Sequence, residues 1–432
     1  MLTPQTPTPV RRALSHTENL TALMEATGDL DIAETLQKGL PAWLLKAPST
    51  VLAALDTEAQ ELLVYQQKFE LLMQKLQPLD TFCASQLSGA LSRKWPVAFD
   101  VNHDVLVLPG FDCGCEGTST TTAGVMKIPS VRRSLLQAAM QNFTSAETEA
   151  DGFPAESTLD IASAPKGLAD LTPQAFASLC RELDLGKRYQ DHLREVFQLP
   201  TTSDGLINDL KWLKIKKLRV DAHLALLKGH ITEAVYKTLL TLNPHSGTGS
   251  EVGIQNISHG STPLIIQGME LFGACVWGVV VFSKRSVETY PTEWCVVYMP
   301  NEPGRPLFEY TTFAEFKLYL GLKLKVNSYK NYFAHGIEQD QQLEFFKSAA
   351  QSSNLDTFKA LPITVPLSQF LIQSALGKLQ IDARELAVPT EDVDEEARKQ
   401  RLQNFIELGL TVANVAAFFV LVLGQLMIGV SV

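Results

Sequence analysis

The sequence predicts a mainly α-helical α+β protein with a small antiparallel β-sheet and a C-terminal apolar helix. Three observations point there. Apolar residues recur at three- and four-residue spacing over most of the chain. A cluster of β-branched and aromatic runs lies between 246 and 310, and the stretch Leu408–Val432 carries no charged residue. At 432 residues the chain has room for two or three domains, and 45% hydrophobic with 19% charged residues describes a globular chain with ample core.

Residues 1–18 are rich in Pro and Thr and read as a disordered leader by composition. Region 19–245 reads as helical, with a strand near 97–108. From about Glu18 to Gln77 the pattern is helical, and Leu62, Tyr65, Phe69 and Met73 would share one apolar face. Val97–Leu108 is rich in Val, Leu and Phe and is closed by Pro109-Gly110, the mark of a strand and turn. Ser130 is expected to start a helix with Leu136, Met140 and Phe143 along one side, followed by a polar loop over 145–170. The best-marked helix has Thr172 as N-cap, Pro173 at its first position, Phe176, Leu179 and Leu183 inward, and Gly186 past its end. Further helical patterns cover 186–199, 204–228 and 231–242, separated by Pro200 and Gly229.

Region 246–310 has a different character. Leu264–Phe272, Cys275–Phe282 and Trp294–Met299 read as strands of a small antiparallel sheet, with 97–108 as a candidate fourth. Region 311–407 is helical again, and 408–432 is an apolar, membrane-seeking segment. No internal repeat is visible.

The net charge of −10 argues against a nucleic-acid partner, because neutralising phosphates takes a clustered basic excess. Six spread cysteines do not form the dense framework of a small secreted disulfide protein. No apolar stretch follows Arg11 and Arg12, so no signal peptide is read. The expected location is the bacterial cytoplasm before export, then secreted or host-membrane associated.

Candidate chemistry is sparse. Cys113 and Cys115 could grip a soft metal, yet a closed zinc site needs four ligands and only His103 is near; a loop with free thiols is the competing reading. The glycines of 247–249 lack the lysine and helix start of a phosphate-cradling loop. Ser258-His259 lacks a nucleophile elbow. His192, His223 and His230 fall in amphipathic helices as surface or half-buried packing residues. No catalytic residue, cofactor or metal site is assigned. The basic run Lys211, Lys214, Lys216, Lys217 and Arg219 reads either as a contact for anionic lipid head groups or as a solvated face paired with local carboxylates.

The strongest physical signal is the tail. Its 25 residues would run about 37 Å as a helix, against a hydrocarbon core of about 30 Å. Leu410, Val415, Phe418, Phe419, Leu423 and Met427 are the residues expected to insert, while Thr411, Asn414 and Gln425 form a polar stripe suited to a partner helix or lumen. Glu391, Asp392, Asp394, Glu395, Glu396 and Glu407 precede it, so acidification that neutralises them would favour insertion. A buried core helix of a larger protein is the alternative.

Several phrases, in order, carry a likeness to a known family: Ser134-LLQAAMQNFTSAETE-Ala150, Leu171-TPQAFASLCRELDLGKRYQDHLREVF-Gln198, and Ala222-HLALLKGHITEAVYKTLL-Thr241. Trp294-CVVYMPNEPGRPLFEYTTFAEF-Lys317, Tyr329-KNYFAHG-Ile337 and Asp382-ARELAVPTEDVDEEAR-Lys399 continue it to the apolar tail. With these phrases the chain resembles the dermonecrotic toxin N-terminal family, the front module of very large bacterial toxins. The resemblance implies a non-catalytic delivery and membrane-translocation module upstream of separate C-terminal effector domains, with a lipid membrane as partner, and the chain reads as a fragment, a truncated product or a stand-alone module. It supplies no catalytic residues for this stretch. Relatives place a proline and a glutamate where Leu421 and Gln425 stand here, which favours one straighter helix over a kinked hairpin. The alternative function is a protein–protein interaction scaffold whose apolar tail packs on the missing effector domains.

Overall fold

A computed structural model describes residues 41–109, 112–113, 126–127, 130–163, 170–199, 204–244, 254–300, 302–351, 355 and 357–393. Two bodies of secondary structure, one helical and one built on a sheet, share two long helices between them.

The helical body begins with α1 (Ala42–Leu45), α2 (Ser49–Met73) and α3 (Leu79–Lys94). Leu62 and Phe69 of α2 are buried as the spacing predicts, with Tyr65 and Met73 packed against the same core. Leu79, Cys83, Leu87, Ala90 and Leu91 give α3 one continuous buried stripe. The strand expected over 97–108 shrinks to β1 (Val105–Leu108), because the Asp100–Asp104 turn takes up the residues before it. β1 does not join the larger sheet. It is the centre of a separate antiparallel sheet with β4 (Val131–Ser134) and β5 (Thr158–Asp160), while β2 (Asp112–Cys113) and β3 (Met126–Lys127) pair with each other. The helix expected from Ser130 therefore starts only after β4, as α4 (Leu135–Gln141). Ser134 caps it in a reciprocal capping box with Gln137.

Helix α5 (Pro173–Leu183) starts as read, with the Thr172 hydroxyl accepting from the Ala175 N–H at 3.1 Å. Its end differs. Asp184, with φ +48°, terminates α5 and at once caps α6 (Leu185–Phe197) by accepting from the Lys187 N–H. Gly186 is thus inside α6 and is no C-cap. Its missing side chain lets the Ala387–Pro389 backbone lie directly on the helix.

The second body is a six-stranded antiparallel sheet ordered β10-β9-β8-β7-β11, with β6 also on β7. The three expected strands are β7 (Thr262–Leu271), β8 (Ala274–Ser283) and β9 (Cys295–Tyr298). Missed were β6 (Ile254–His259), β10 (Leu307–Tyr310) and β11 (Lys359–Pro362); the last comes from the stretch expected to be helical and carries Pro362 at the sheet edge, where a missing N–H is tolerated. Buried residues alternate along the strands. Met269, Leu271, Val281 and Val297 face α9 (Phe313–Lys323), α10 (Asn327–Ala334) and α11 (Gln342–Gln351). Leu264, Ile266, Phe282 and Val296 face α7 (Asp204–Leu227), α8 (Glu233–Leu240) and α12 (Leu367–Leu386). The β9–β10 turn is held by buried Glu302, whose carboxylate accepts from the Gly304 N–H at 2.7 Å, from the Arg305 N–H and from the Tyr319 hydroxyl at 2.7 Å.

α7 and α12 are the shared walls. Leu210, Leu213 and Val220 of α7 belong to the helical core, whereas Ile215, Leu218 and Ala222 belong to the sheet core. α12 divides likewise, with Leu376, Leu379 and Ala383 on one side and Leu367 and Leu371 on the other. Among the described residues no helix is long and apolar enough to cross a membrane. Leu408–Val432, with Leu410, Thr411, Asn414, Val415, Phe418, Phe419, Leu423, Gln425 and Met427, lies outside the described residues, as does the 1–18 leader. The expected C-terminal apolar helix is therefore not part of the described fold.

Four histidines make stability pH-dependent. Burial is the main cause that holds His192, His223, His230 and His335 below the usual value of 6.5. The stability they contribute is complete above that value and is lost as pH falls towards the folded-state values, because the unfolded chain binds those protons first. Burial raises the carboxyls of Asp221, Asp382 and Glu338, which act in the opposite sense because the folded chain takes up their protons first. Four histidines that lower stability on acidification stand against three carboxyls that raise it, and the net change is the difference between them. Melting temperature is expected to fall by a few degrees between about pH 7.5 and about pH 5.5, with a smaller fall in His223→Gln. Melting curves that do not move with pH, or that rise on acidification, would count against this balance.

Candidate functional site

A cavity of about 100 Å³ lies where the two bodies meet. α2 contributes Leu62 and Gln66, and α7 contributes Leu213, Lys214 and Lys217. The opposite side is a bulge in β8. Gln267 of β7 pairs with Val281, but Met269 pairs with Val276, so extra β8 residues are looped out between them. Gly278, with φ +82°, lets the strand turn back there. The bulge is fixed from outside the sheet: the Trp277 N–H donates to the Gly336 carbonyl at 2.7 Å and its indole N–H to Glu338 at 3.1 Å. Tyr298, Met299 and Pro300 from the end of β9 and Tyr332 and Phe333 of α10 continue the wall, and Ser374 and Lys378 of α12 complete it.

Three lysines line this otherwise largely apolar space, and their charges are not handled alike. Lys217 donates to both oxygens of Asp221, at 2.6 and 2.7 Å, and Asp221 also accepts from the Tyr298 hydroxyl at 3.1 Å. Lys378 is paired with Asp382, which accepts from the Gln339 N–H at 3.0 Å. Lys214 makes no ion pair with any described residue. Burial first, and the neighbouring Lys217 second, pull its ammonium down to about 8. The Ser374 hydroxyl, from another part of the lining, is buried, at 1% exposure, and has no hydrogen-bond partner among the described residues. Buried hydroxyls nearly always have one.

Three members of the basic run of α7 are taken up in ion pairs, Lys217 with the local carboxylate of Asp221 and Lys216 and Arg219 across a helix–helix interface. Lys216 is buried and reaches Glu58 of α2 at 2.9 Å and also Glu61; Arg219 reaches Glu58 at 3.0 Å and the Leu242 carbonyl. The carboxylates are distant in sequence because α7 is apolar on two sides and carries its cations into a helix–helix interface. A helix with buried residues all round was the available signal, since Leu213, Ile215, Leu218 and Val220 leave no clean polar face. Asp221, Tyr298 and Ser374 carried no motif that sequence reasoning could use.

The other candidates do not assemble. Cys113 lies in β2, and Cys115 lies outside the described residues. Burial raises the thiols of Cys83, Cys180 and Cys295, and that of Cys275 to about 11, so these stay protonated and weakly nucleophilic near neutrality. His259 stacks on Trp294 at 4.8 Å, and Ser258 is exposed beside it on β6. His192 accepts from the Gln77 N–H and stacks on Phe82, His230 packs near Phe308, and His223 is fully buried against the Tyr236 hydroxyl. Among the described residues no three His, Cys, Asp or Glu side chains gather as a metal site.

The sequence profile of the family described as dermonecrotic toxin, N-terminal domain, matches residues 73–340, more than half of the chain. The chain belongs to this family. No curated protein matches it. The family span runs from the end of α2 past α10, so it takes in α7, the β8 bulge and the Tyr298–Pro300 wall. It starts ahead of the first of the phrases and stops short of the last, Asp382–Lys399, so that α12, with Ser374 and Lys378, lies beyond it. In this member of the dermonecrotic toxin N-terminal family the cavity is therefore lined in part by residues from outside the matched span, Leu62 and Gln66 of α2 before it and α12 after it.

Proposed function

We propose that the chain is a non-catalytic delivery module of a dermonecrotic-toxin-like bacterial protein, with Leu408–Val432 as the element that enters a lipid membrane. Family membership supports the toxin setting. The single observation that carries the membrane step is the uncharged run itself, which is long enough to cross a hydrocarbon core. The chain leading towards it starts from a fixed point. The Val388 N–H donates to the Met140 carbonyl at 2.8 Å, and the Asn142 amide donates to the Val388 carbonyl at 3.2 Å and to the Thr390 hydroxyl at 2.9 Å. Thr390 donates in turn to Asp184 and to the Arg181 carbonyl, while Glu391 and Asp392 pair with Arg384. An inserting segment tethered this way pulls on the helical body, to which any effector domains following it would be coupled.

The test is release of a trapped dye from anionic lipid vesicles. The full chain is expected to permeabilise them, more strongly near pH 5 than near pH 7.4. A chain cut before Gly409 is expected to lose the activity and stay folded. Undiminished release after that cut would overturn the assignment. A scaffold that binds effector domains is the second reading. It is favoured by an exposed apolar ridge on and after α9, where Leu318, Leu322 and Val326 are 66%, 57% and 52% exposed at four-residue spacing. Vesicle release distinguishes the two readings, because a scaffold gives none.

A further inference from the structure

We propose that the cavity between the two bodies binds a small ligand through an oxyanion, such as a phosphate group, held by the Lys214 ammonium and the Ser374 hydroxyl. Two independent features point to a ligand. Lys214 is a half-buried cation with no carboxylate partner among the described residues, although its neighbours Lys217 and Lys378 each have one. Ser374 is a buried donor with no hydrogen-bond partner among the described residues, and it lines the same cavity. Leaving either group unmatched costs free energy, and one anion would satisfy both.

The electrostatics select the sign. Asp221 and Asp382 sit behind their lysines and are not part of the cavity wall, so the surface a ligand meets is cationic. Lysines act on phosphate as point charges, and here they come from α7 and α12 on two sides of the space. The remaining wall, with Trp277, Met299 and Phe333, suits a small apolar or neutral body attached to the anion. The size excludes a large ligand, since about 100 Å³ of water-accessible space holds only a few waters or one small group. This inference does not depend on the delivery reading and concerns residues far from the apolar tail.

Calorimetric titration of the full chain tests it with sulfate, whose charge stays fixed over the relevant pH range, and with inorganic phosphate. Saturable one-to-one binding near neutral pH is expected. It should be at least tenfold weaker in Lys214→Met, several-fold weaker in the near-isosteric Ser374→Ala, and unchanged in Lys211→Ala outside the cavity. Sulfate affinity should also fall as pH rises past about 8, where Lys214 loses its charge. Glycerol 3-phosphate and phosphatidylglycerol vesicles, with phosphatidylcholine vesicles as control, separate a free phosphate ester from a lipid head group. Loss of binding to either in Lys214→Met supports the site and names its source. Absence of sulfate and phosphate binding in the parent chain, or affinity equal to the parent's in both Lys214→Met and Ser374→Ala, overturns it.

Discussion

Gly186→Ala is expected to destabilise the protein by about 3 kcal/mol or more, at the upper end of what an inserted methyl costs in a packed interior. A Cβ at this position would lie 2.5 Å from both the Ala387 carbonyl oxygen and the Val388 carbonyl carbon, and nearer still to the Pro389 nitrogen. All three are backbone atoms, so no rotamer change relieves the clash. Either α6 moves off the core, where Leu185, Tyr189 and Leu193 are buried, or the 387–390 segment lifts away. Lifting it also breaks the bonds that Asn142 and Asp184 make to Val388 and Thr390. Chemical denaturation should show the loss as a lower midpoint, and limited proteolysis should show new cleavage after residue 386. A midpoint within about 0.5 kcal/mol of the parent would mean that the close approach has little energetic consequence.

Asp221→Ala should cost about 3–5 kcal/mol, the range found when one member of a buried ion pair is removed. The Asp221 carboxylate accepts three bonds, two from Lys217 and one from the fully buried Tyr298 hydroxyl. Truncation strands a cation and a hydroxyl at the junction of α7 and β9. The double substitution Lys217→Met with Asp221→Leu is expected to recover most of the loss, because it removes both charges together and leaves only the Tyr298 hydroxyl to find a partner. A single-substitution cost below about 1 kcal/mol would show that the pair is solvated in a way its burial does not suggest.

Both effects rest on features that were only partly legible in the sequence. The start at Thr172-Pro173 was readable because the cap acts within four residues of its target, whereas the helix expected from Ser130 begins only after its cap at Ser134. β7, β8 and β9 were readable as β-branched runs around Gly273. Gly186 was seen but assigned the wrong task, because a glycine near a helix end looks the same whether it allows a left-handed turn or a close backbone crossing. Only the arrival of Ala387, some 200 positions later, decides between them. β6, β10 and β11 were missed for a related reason: a strand of four to six residues is defined by its neighbour on the sheet, and Lys359–Pro362 has almost no pattern of its own. The cavity was illegible because it depends on a register shift in β8 and on a serine in α12 that no motif marks. Two of its lysines, Lys214 and Lys217, were visible in a basic run, yet the sequence could not show that Glu58 and Glu61 would meet that run from α2.

α7 and α12 each give one flank to the helical core and the other to the sheet core. Neither core is complete without them, so the two bodies have no seam along which they could part while each stays folded. Threading this polypeptide through a narrow passage would therefore be an all-or-none event: the first pull that extracts either shared helix dissolves both halves together, and nothing resembling a half-folded intermediate is left to jam the route.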